Sequence, residues 1–344
     1  MNKILFKYIF GMQLRATAFV SGFVFCLILL FDFAEITRKF PITSLSETIF
    51  AIKLSLMRTP STFCEVMHYV YFITATFSLW NLNRSHQITI MKSTGKSPQQ
   101  ILYPFFSFAV FIAAAWLFLI HPLGLYSETM YNKNISASAE INCNVWIDCT
   151  KNNQVIFIKN IHDNRIEGLN VFNMESGQRI FAQQAIKRGS FWILKDVTLI
   201  NKDKIQNIDT LKIFGMVSTS LIKLLSKAPQ KQDIYYLYKV YKIQKKDNVT
   251  LRSYELELHK LLANCYSFIL FALIAAIICL PINHYKTKTN IMIKVIFTSI
   301  FLRLTNNMLE SLSHGGAIPV QLACWAVLLI LSCISIAILI WKEA

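Results

Sequence analysis

The chain of 344 residues is 54% hydrophobic, and its 35 lysines and arginines against 19 aspartates and glutamates give a net charge of +16. Its mean hydropathy of +0.43 excludes an ordinary soluble domain of this length and predicts a polytopic membrane protein. The excess of positive charge is typical of cytoplasmic loops that face anionic lipid, and without a recognisable module it excludes a nucleic-acid-binding protein.

The first part of the chain predicts three membrane spans. Basic residues before and at the start of the first span, Leu14–Ile36, place the N-terminus in the cytoplasm, and no cleavable signal peptide is evident. The mixed-polarity stretch 41–62 is expected to form an outer-surface helix that runs into the second span, Phe63–Leu82. The third span, Ile101–Leu125, is expected to end outside at His121-Pro122.

The loop between the second and third spans, residues 83–100, is short and basic, which places it in the cytoplasm. It predicts a short amphipathic helix with Ile88 and Met91 on one face and Thr94 as a further candidate for that face, followed by a break that starts at Gly95. Ser97 is then expected to cap a second helix, which begins at Pro98 because proline has no N–H to leave unbonded there. Such a helix can lie on the membrane surface or dock on a partner, and we expect a partner.

Residues 126–245 are more polar and predict an antiparallel β domain outside the membrane, a small sandwich or jelly roll. Short runs of strand-forming residues alternate with turn signals such as Glu175-Ser176-Gly177. In the last run, four residues are expected to share one face: Phe191, Ile193, Val197 and Leu199. The spacing of Cys143 and Cys149 neither requires nor excludes a disulfide. The predicted runs are Gln154–Ile161, Gly168–Asn173, Gln178–Lys187 and Phe191–Asn201.

The last part of the chain predicts a helix and three further spans. The stretch from Asp233 to Leu258 looks helical up to the polar residues after Lys242, with Tyr235, Leu237, Tyr238 and Tyr241 on one side and lysines on the other. The spans are Leu261–Leu280, Ile291–Leu312 and Val320–Trp341, which return the C-terminus to the cytoplasm. The predicted domains are 1–125, which includes the loop 83–100, then the β domain 126–245, and 246–344.

Two groups of charged residues lie in or beside these spans. Arg303 and Glu310 share one face of the fifth span with Asn306 or Asn307, and such a face lines either a wet cavity or an internal arginine–glutamate network that fixes helix packing. Arg38, Lys39 and Arg58 lie near the outer ends of the first two spans. They suit a clamp for the phosphates of an anionic lipid, although snorkelling at the interface is the simpler interpretation.

Patterns for metal binding and catalysis are incomplete. Glu65 and His68 form an E-x-x-H pair without the second pair that a di-iron site needs, and Glu310 and His314 lack further ligands. HExxH, nucleophile-elbow and Walker A motifs are absent. We therefore expect no cofactor and no metal, and any energy source for transport would be on another chain.

Several motifs resemble one membrane-protein family over essentially the whole chain. The loop RSHQITIMKSTGKSPQQIL and the stretch YELELHKLLA are the most specific, and YIFGMQLRATAF, LLFDFAEITRKF and GAIPVQLACW lie at the matching places in the spans. VWIDCTKNNQVIFIKNI and GSFWILKDV look like strands of its β domain, and DIYYLYKVYKIQKKD like the helix before the fourth span. This family is the lipopolysaccharide-export permeases LptF/LptG (YjgP/YjgQ), and FDFAEITR is closer to the G-type paralogue.

The resemblance implies a six-span permease in the bacterial inner membrane with a periplasmic jelly roll. It implies a heterodimer with an LptF-like second permease, a cytoplasmic LptB-like ABC ATPase dimer, and an LptC-like bitopic bridge protein. The cargo would be lipopolysaccharide or another anionic lipid taken from the outer leaflet. The implied lipid-binding residues are Arg38, Lys39, Arg58, Arg303 and Glu310, and the implied ATPase-coupling residues are Arg84, Gln87, Met91, Lys92, Gly95 and Ser97.

The chain departs from the family pattern at some positions. Gln87 stands where the family has a glutamate in the coupling loop, so a charge-assisted contact with the ATPase would become a neutral and weaker hydrogen bond. His68 and Cys265 stand where prolines are usual, and Thr74 and Ser78 replace glycines. Two other classes stay open: a membrane-embedded lipid-modifying enzyme, and a non-transporting membrane scaffold.

Overall fold

The computed structural model describes residues 3–39, 44–135, 145–149, 154–162, 165–188, 191–201, 204–214, 232–247, 249–279 and 288–343. The chain divides into two compact units, one formed by Met1–Ser136 with His259–Ala344 and the other by Ala137–Leu258. The first is the helical unit and the second is the β unit. Cys143, one half of the disulfide left open by the sequence, lies outside the described residues.

The described elements follow one another in this order. The first helices are α1 (Lys3–Lys39), α2 (Leu45–Arg84), α3 (Gln87–Ser93), α4 (Pro98–Ala115) and α5 (His121–Ile135). The strands are β1 (Val145–Cys149), β2 (Gln154–His162), β3 (Arg165–Asn173), β4 (Arg179–Arg188), β5 (Phe191–Asn201) and β6 (Lys204–Phe214). The chain ends with α6 (Ile234–Asp247), β7 (Val249–Thr250), α7 (Arg252–Cys279), α8 (Lys288–His314) and α9 (Val320–Glu343).

Five helical stretches in the described part of the chain are long and apolar enough to cross a membrane. They are α1, the continuous stretch Gln99–Asn134, α7, α8 and α9. The prediction of a polytopic α-helical membrane protein with an inserted antiparallel β domain is confirmed. The second predicted span, Phe63–Leu82, lies in α2, which is not among the five.

α2 is one unbroken helix, so the predicted outer helix does run into the second span. Ser44 caps its start: the Ser44 hydroxyl accepts from the Glu47 N–H at 3.4 Å, and the Glu47 carboxylate accepts from the Ser44 N–H at 3.1 Å. Its second half buries Thr74 and Thr76, whose hydroxyls donate to carbonyls of the preceding turn at 2.9 and 2.8 Å. Polar side chains that are buried and bonded in this way lower the hydropathy of a helix without facing lipid.

The helix of the third predicted span continues beyond His121-Pro122, where the sequence predicts the end of the span. α4 passes through a π-helical turn, Trp116–Ile120, directly into α5. Pro122 has no N–H, so a regular helix would lose a backbone bond there. The π turn changes the bond spacing immediately before the proline, which allows the helix to continue. The Trp116 indole N–H donates to the Cys64 carbonyl at 3.0 Å and holds this turn against α2.

Gly124 allows α5 to approach α2 closely. A Cβ added at Gly124 would lie 2.6 Å from Cys64 Sγ and 3.3 Å from the Pro60 carbonyl oxygen. The Cys64 thiol is itself held, because it donates to the Ile120 carbonyl at 3.2 Å. The glycine, the thiol and the π turn therefore form one close contact between the two helices.

The described strands form one antiparallel sheet in the order β6-β5-β4-β3-β2-β1-β7. Strands β1 to β6 pair with their neighbours in sequence, which is a meander, and the short β7 pairs with β1. Four of the strands correspond to the four runs predicted from the sequence. The predicted turn after β3 is also confirmed, with Asn173 Oδ1 accepting from the Glu175 N–H at 3.0 Å.

A row of residues without ladder partners crosses the described sheet, and we call it the crease. Two of its members have left-handed backbone angles, Gly168 with φ of 68° and Asp196 with φ of 52°. Within a strand, the last buried residue before the crease and the first buried residue after it lie three positions apart. A regular strand would bury every second residue. The crease therefore keeps the apolar residues of both halves on the same face. Its members are Lys159, Gly168, Gln183, Asp196 and Asp209.

The crease explains why the predicted face of β5 is wrong. The sequence grouped Phe191, Ile193, Val197 and Leu199, but the buried residues of β5 are Trp192, Leu194 and Val197. Asp196 lies between Leu194 and Val197, and its positive φ interrupts the alternation of faces.

The predicted faces of α6 also need correction. The buried residues are Leu237, Val240 and Gln244, at helical spacing. Tyr235 and Tyr238 do not share their face and are exposed together with the lysines. The sequence had placed these tyrosines with Leu237, opposite the lysines.

Two glycines of the β unit make a matched pair for testing the crease. Gly168 (φ 68°) and Gly177 (φ 67°) both have left-handed backbones, but a Cβ at Gly168 would lie 2.9 Å from Lys159 Cβ, whereas a Cβ at Gly177 meets open space. We expect Gly177→Ala to lower the free energy of unfolding by about 1–2 kcal/mol. Gly168→Ala should cost about 1–3 kcal/mol more, because the close approach adds to the strain. Equal losses, measured by thermal unfolding of the full chain, would contradict the close packing at the crease.

Candidate functional site

The loop segment 83–100 forms a short helix between two turns. α3 begins after His86, whose left-handed backbone (φ 58°) separates it from the end of α2. The predicted amphipathic face is confirmed for Ile88, which is buried, and Met91, which is half-buried, whereas Thr94 follows the last residue of the helix and is exposed. Ile90 points the other way and is 59% exposed. α3 therefore presents an exposed face with an apolar residue at its centre.

The second half of the loop segment also has the predicted form. Gly95 has a φ of 79°, and the Gly95 N–H donates to the Lys92 carbonyl at 3.0 Å. This backbone conformation favours glycine over other residues. Ser97 caps α4, its hydroxyl accepting from the Gln100 N–H at 3.3 Å. The turn between α3 and α4 thus depends on residues that the sequence had singled out.

Contacts tie the loop segment to the membrane helices. Gln87 on α3 forms a hydrogen bond with the Tyr8 hydroxyl of α1, at 3.4 Å. Asn83 Nδ2 donates to the Cys279 carbonyl at the end of α7, at 2.7 Å. The Arg84 guanidinium lies 5.2 Å from the centre of the Trp80 ring. A displacement of α3 would therefore act on α1. A displacement of the end of α2 would act on α7. No local sequence signal points to Tyr8 or Cys279, because both contacts join distant parts of the chain.

An ion-pair cluster joins the end of α1 to α2, and we define it as Asp32, Glu35, Lys39, Arg58 and Thr59. Arg58 lies 2.9 Å from a Glu35 oxygen and 3.6 Å from an Asp32 oxygen, and Lys39 lies 2.7 Å from Glu35. The Thr59 hydroxyl donates to Asp32 at 3.2 Å. Burial disfavours the charge on Arg58, but the two carboxylates outweigh it and raise the pKa of Arg58 above its ordinary value.

The three basic residues predicted near the outer ends of the spans differ in how many carboxylates they pair with. Arg58 is engaged by two carboxylates, and Lys39 by one. Arg38 is exposed and forms no ion pair with another described residue. The four-residue spacing of Glu35 and Lys39 is a sequence signal for their pair, whereas the pairs of Arg58 join different helices and leave no local signal.

The two charged residues predicted on α8 form ion pairs with two different helices. Arg303 pairs with Glu65 of α2 at 3.4 Å, and Glu310 pairs with Lys260 of α7 at 2.7 Å. These contacts match the internal network that the sequence left open as an alternative. The pairs are not enclosed, however, since 65% of the Glu65 side chain is exposed. Asn306, half-buried, is the amide on the same face, while Asn307 is exposed.

The E-x-x-H residues do not form a metal site in the described part of the chain, where no group of three potential ligands occurs. Glu65 is paired with Arg303, and His68 is buried with its ring parallel to Phe271 at 6.0 Å. Glu310 and His314 are 4.0 Å apart, and Lys260 occupies the same carboxylate oxygen. The geometry therefore gives these residues contacts between helices and charged surfaces.

Comparison with known proteins identifies one family. The family model described as "Lipopolysaccharide export system permease LptF/LptG" matches residues 7–341. No curated protein matches the chain.

Arg38 and Arg58 allow the ion-pair cluster to be tested with a matched control. Arg58→Met leaves the buried Asp32 carboxylate without its cation, and we expect the free energy of unfolding to fall by about 1–3 kcal/mol, less than for a fully buried pair because Arg58 is partly exposed. Arg38→Met should change it by less than about 0.5 kcal/mol. Adding Asp32→Asn to Arg58→Met should recover most of the loss. Thermal unfolding in detergent provides the measurement, and equal losses for the two single variants would show that the pairing contributes nothing.

Proposed function

Because the chain belongs to the LptF/LptG family of lipopolysaccharide export permeases, we propose that it is the non-catalytic permease subunit of an ABC transporter. In this proposal it extracts lipopolysaccharide, or a related anionic lipid, from the outer leaflet of the inner membrane and passes it to a periplasmic bridge. The family match over residues 7–341 is the observation that carries the proposal. The apolar helices support it, since a multi-pass permease needs several membrane-crossing helices, and the inserted sheet agrees with the β domain that the family resemblance implies.

α3 is proposed as the helix that docks on a cytoplasmic ATPase dimer of the LptB type, with both chain termini also in the cytoplasm. Its exposed face, with Ile90 at the centre, supports this role because a docking helix needs apolar area outside its own fold. Arg84, Gln87, Met91, Lys92, Gly95 and Ser97 are the proposed coupling residues. The bond from Gln87 to Tyr8 would pass the movement of α3 to α1.

Gln87 is a neutral residue where the family has a glutamate, and its amide is already bonded to Tyr8. A neutral amide forms weaker hydrogen bonds to an arginine than a carboxylate does. The apolar contact through α3 would then carry a larger share of the docking energy in this chain. In this proposal α3 couples to the ATPase. Gln87 acts mainly within its own chain.

Lipid capture is proposed at the end of α1 and along the polar face of α8. Arg38 is exposed, and Lys39 is held by a single carboxylate at the surface, where pairs contribute about 1 kcal/mol or less. A lipid phosphate can therefore displace Glu35 from Lys39 at little cost. Arg58, engaged by two carboxylates, would position α1 while Arg303 and Glu310 line the path of the lipid.

A second permease of the same family and an LptC-like bridge protein complete the proposed complex. The half-exposed charges on α8 support a protein or aqueous neighbour at that face, because charged groups at membrane depth avoid lipid. The β unit is proposed to lie in the periplasm and to receive the lipid.

The coupling role can be tested at Gly95. Gly95→Pro cannot adopt the observed φ of 79°, whereas Gly95→Asn can, because asparagine tolerates the left-handed region. Tagged chain purified from its own membranes in mild detergent should retain an ATPase and a second permease, identified by mass spectrometry. We expect Gly95→Pro to lower ATP-dependent lipid release at least about tenfold, a loss of about 1.4 kcal/mol in coupling, and Gly95→Asn to stay near the native level. Normal ATPase association and transport in Gly95→Pro would contradict the coupling role, and recovery of the native chain alone would contradict the transporter.

The lipid-binding role can be tested at Arg38 and Lys39. Arg38→Ala/Lys39→Ala should reduce photo-crosslinking of an anionic lipid several-fold, because about 1 kcal/mol per cation is lost at a phosphate. ATPase association should be unchanged. Lys53→Ala/Lys133→Ala removes two exposed lysines elsewhere on α2 and α5 and is the matched control. Equal reductions in the two double variants would show that Arg38 and Lys39 are ordinary interface residues.

A further inference from the structure

The exposed face of α6 combines aromatic and basic side chains. Five residues form this face. With 100° between successive residues of a helix, they cover roughly 120° of its circumference. Tyr235 and Tyr238 are 78% and 58% exposed. No acidic residue lies between Ile234 and Lys246, so this face has no negative charge of its own. The members of what we call the tyrosine–lysine face are Tyr235, Tyr238, Lys239, Lys242 and Lys245.

The fold of the β unit does not require these side chains. The opposite side of α6 buries Leu237 and Val240, each fully, and these residues hold the helix in place. None of the five side chains is hydrogen-bonded or ion-paired with another residue in the described part of the chain. Two large tyrosines and three lysines thus remain available to a ligand outside the unit.

A short chain connection links α6 to a helix that can cross the membrane. Four residues separate Asp247, at the end of α6, from Arg252, at the start of α7. Five Cα–Cα steps join these two residues, so a fully extended connection reaches about 18 Å at most. α7 is one of the helices apolar enough to cross a membrane, and its predicted span begins at Leu261, so α6 is tethered to the segment of α7 that precedes the span.

We propose that the tyrosine–lysine face binds the phosphate headgroups of anionic lipids at the surface of the bilayer. Charge complementarity carries the choice of ligand, because three unpaired lysines without an acid match a layer of phosphates. Tyrosine prefers the boundary between headgroups and acyl chains, and lysine can extend from the same helix to the phosphates. The face would hold α6 at the level of the headgroups, beside the start of α7. This binding requires only that α7 crosses the membrane, and it is independent of the lipid that is transported.

The test places a photo-crosslinking amino acid at Tyr235 or Tyr238 of the full chain in nanodiscs. The nanodiscs contain phosphatidylcholine alone or phosphatidylcholine mixed with phosphatidylglycerol, and mass spectrometry identifies the adducts. Met174, 69% exposed in the turn between β3 and β4, takes the same probe as the control for exposure alone. Both tyrosine positions should yield phosphatidylglycerol adducts at least about tenfold above Met174, since each nearby lysine favours anionic lipid about fivefold.

Charge reversal separates headgroup binding from mere proximity. Lys239→Glu/Lys242→Glu should lower the phosphatidylglycerol adducts of the Tyr235 probe by about tenfold or more. Lys195→Glu/Lys212→Glu makes the same change of net charge on β5 and β6 and should leave them unchanged. The reversed lysines of α6 are exposed, so we expect the variant to fold. An unchanged elution profile on size exclusion confirms that it is folded. Equal yields in neutral and anionic nanodiscs, or adducts with protein only, would overturn the proposal, the latter by showing that another subunit covers this face.

Discussion

The helical unit depends on enclosing the polar side chains of α2. This helix contacts α1, α3, α5 and α8, and its hydroxyls, its arginine and its histidine would be costly in contact with lipid. α1 satisfies one side of it through Thr17, which is 3.2 Å from Thr74, and through Asp32, which accepts from Thr59. The step from Thr17 to Asp32 along α1 equals the step from Thr74 to Thr59 along α2, so the two helices stay in one antiparallel register over that length. α2 thus takes part in several of the polar contacts of the unit, although Lys260 and Glu310 pair between α7 and α8 without it.

Local signals in the sequence predicted the local features well. Ser97 caps α4 and Gly95 turns the chain because each acts within a few residues of its own position. The strands β2 to β5 were found because strand-forming runs and turn residues are also local. The same reasoning did not predict that a π turn lets the helix continue through Pro122, and it failed at Asp196, where the crease shifts the buried face. Both depend on neighbouring elements, α2 in the first case and the adjacent strands in the second, which a single stretch of sequence does not contain.

The candidate site shows the same division between local and distant signals. The loop segment was identified by its basic residues, its glycine and its cap, and the structure gives it the expected shape. The partners of the charged residues were not predictable, because Arg58 pairs with α1, Arg303 with α2 and Glu310 with α7. For α6 the sequence separated tyrosines from lysines, since a helix with aromatic residues is expected to bury them. Leu237 and Val240 are sufficient to fix α6, which leaves Tyr235 and Tyr238 on the outer side.

The exposed ion pairs on α8 constrain what can lie beside this helix in a membrane. An isolated charged pair gains little from attraction when both partners are half-exposed, and in lipid the loss of hydration would exceed that gain. Glu65 and Arg303 are both more than one third exposed, yet they connect two helices that belong to the apolar part of the chain. The face that holds them therefore needs water or polar protein beside it. The second permease proposed above would meet this requirement if it enclosed an aqueous cavity with this face, and the proposed cargo, a lipid with phosphates on its headgroup, suits such a cavity.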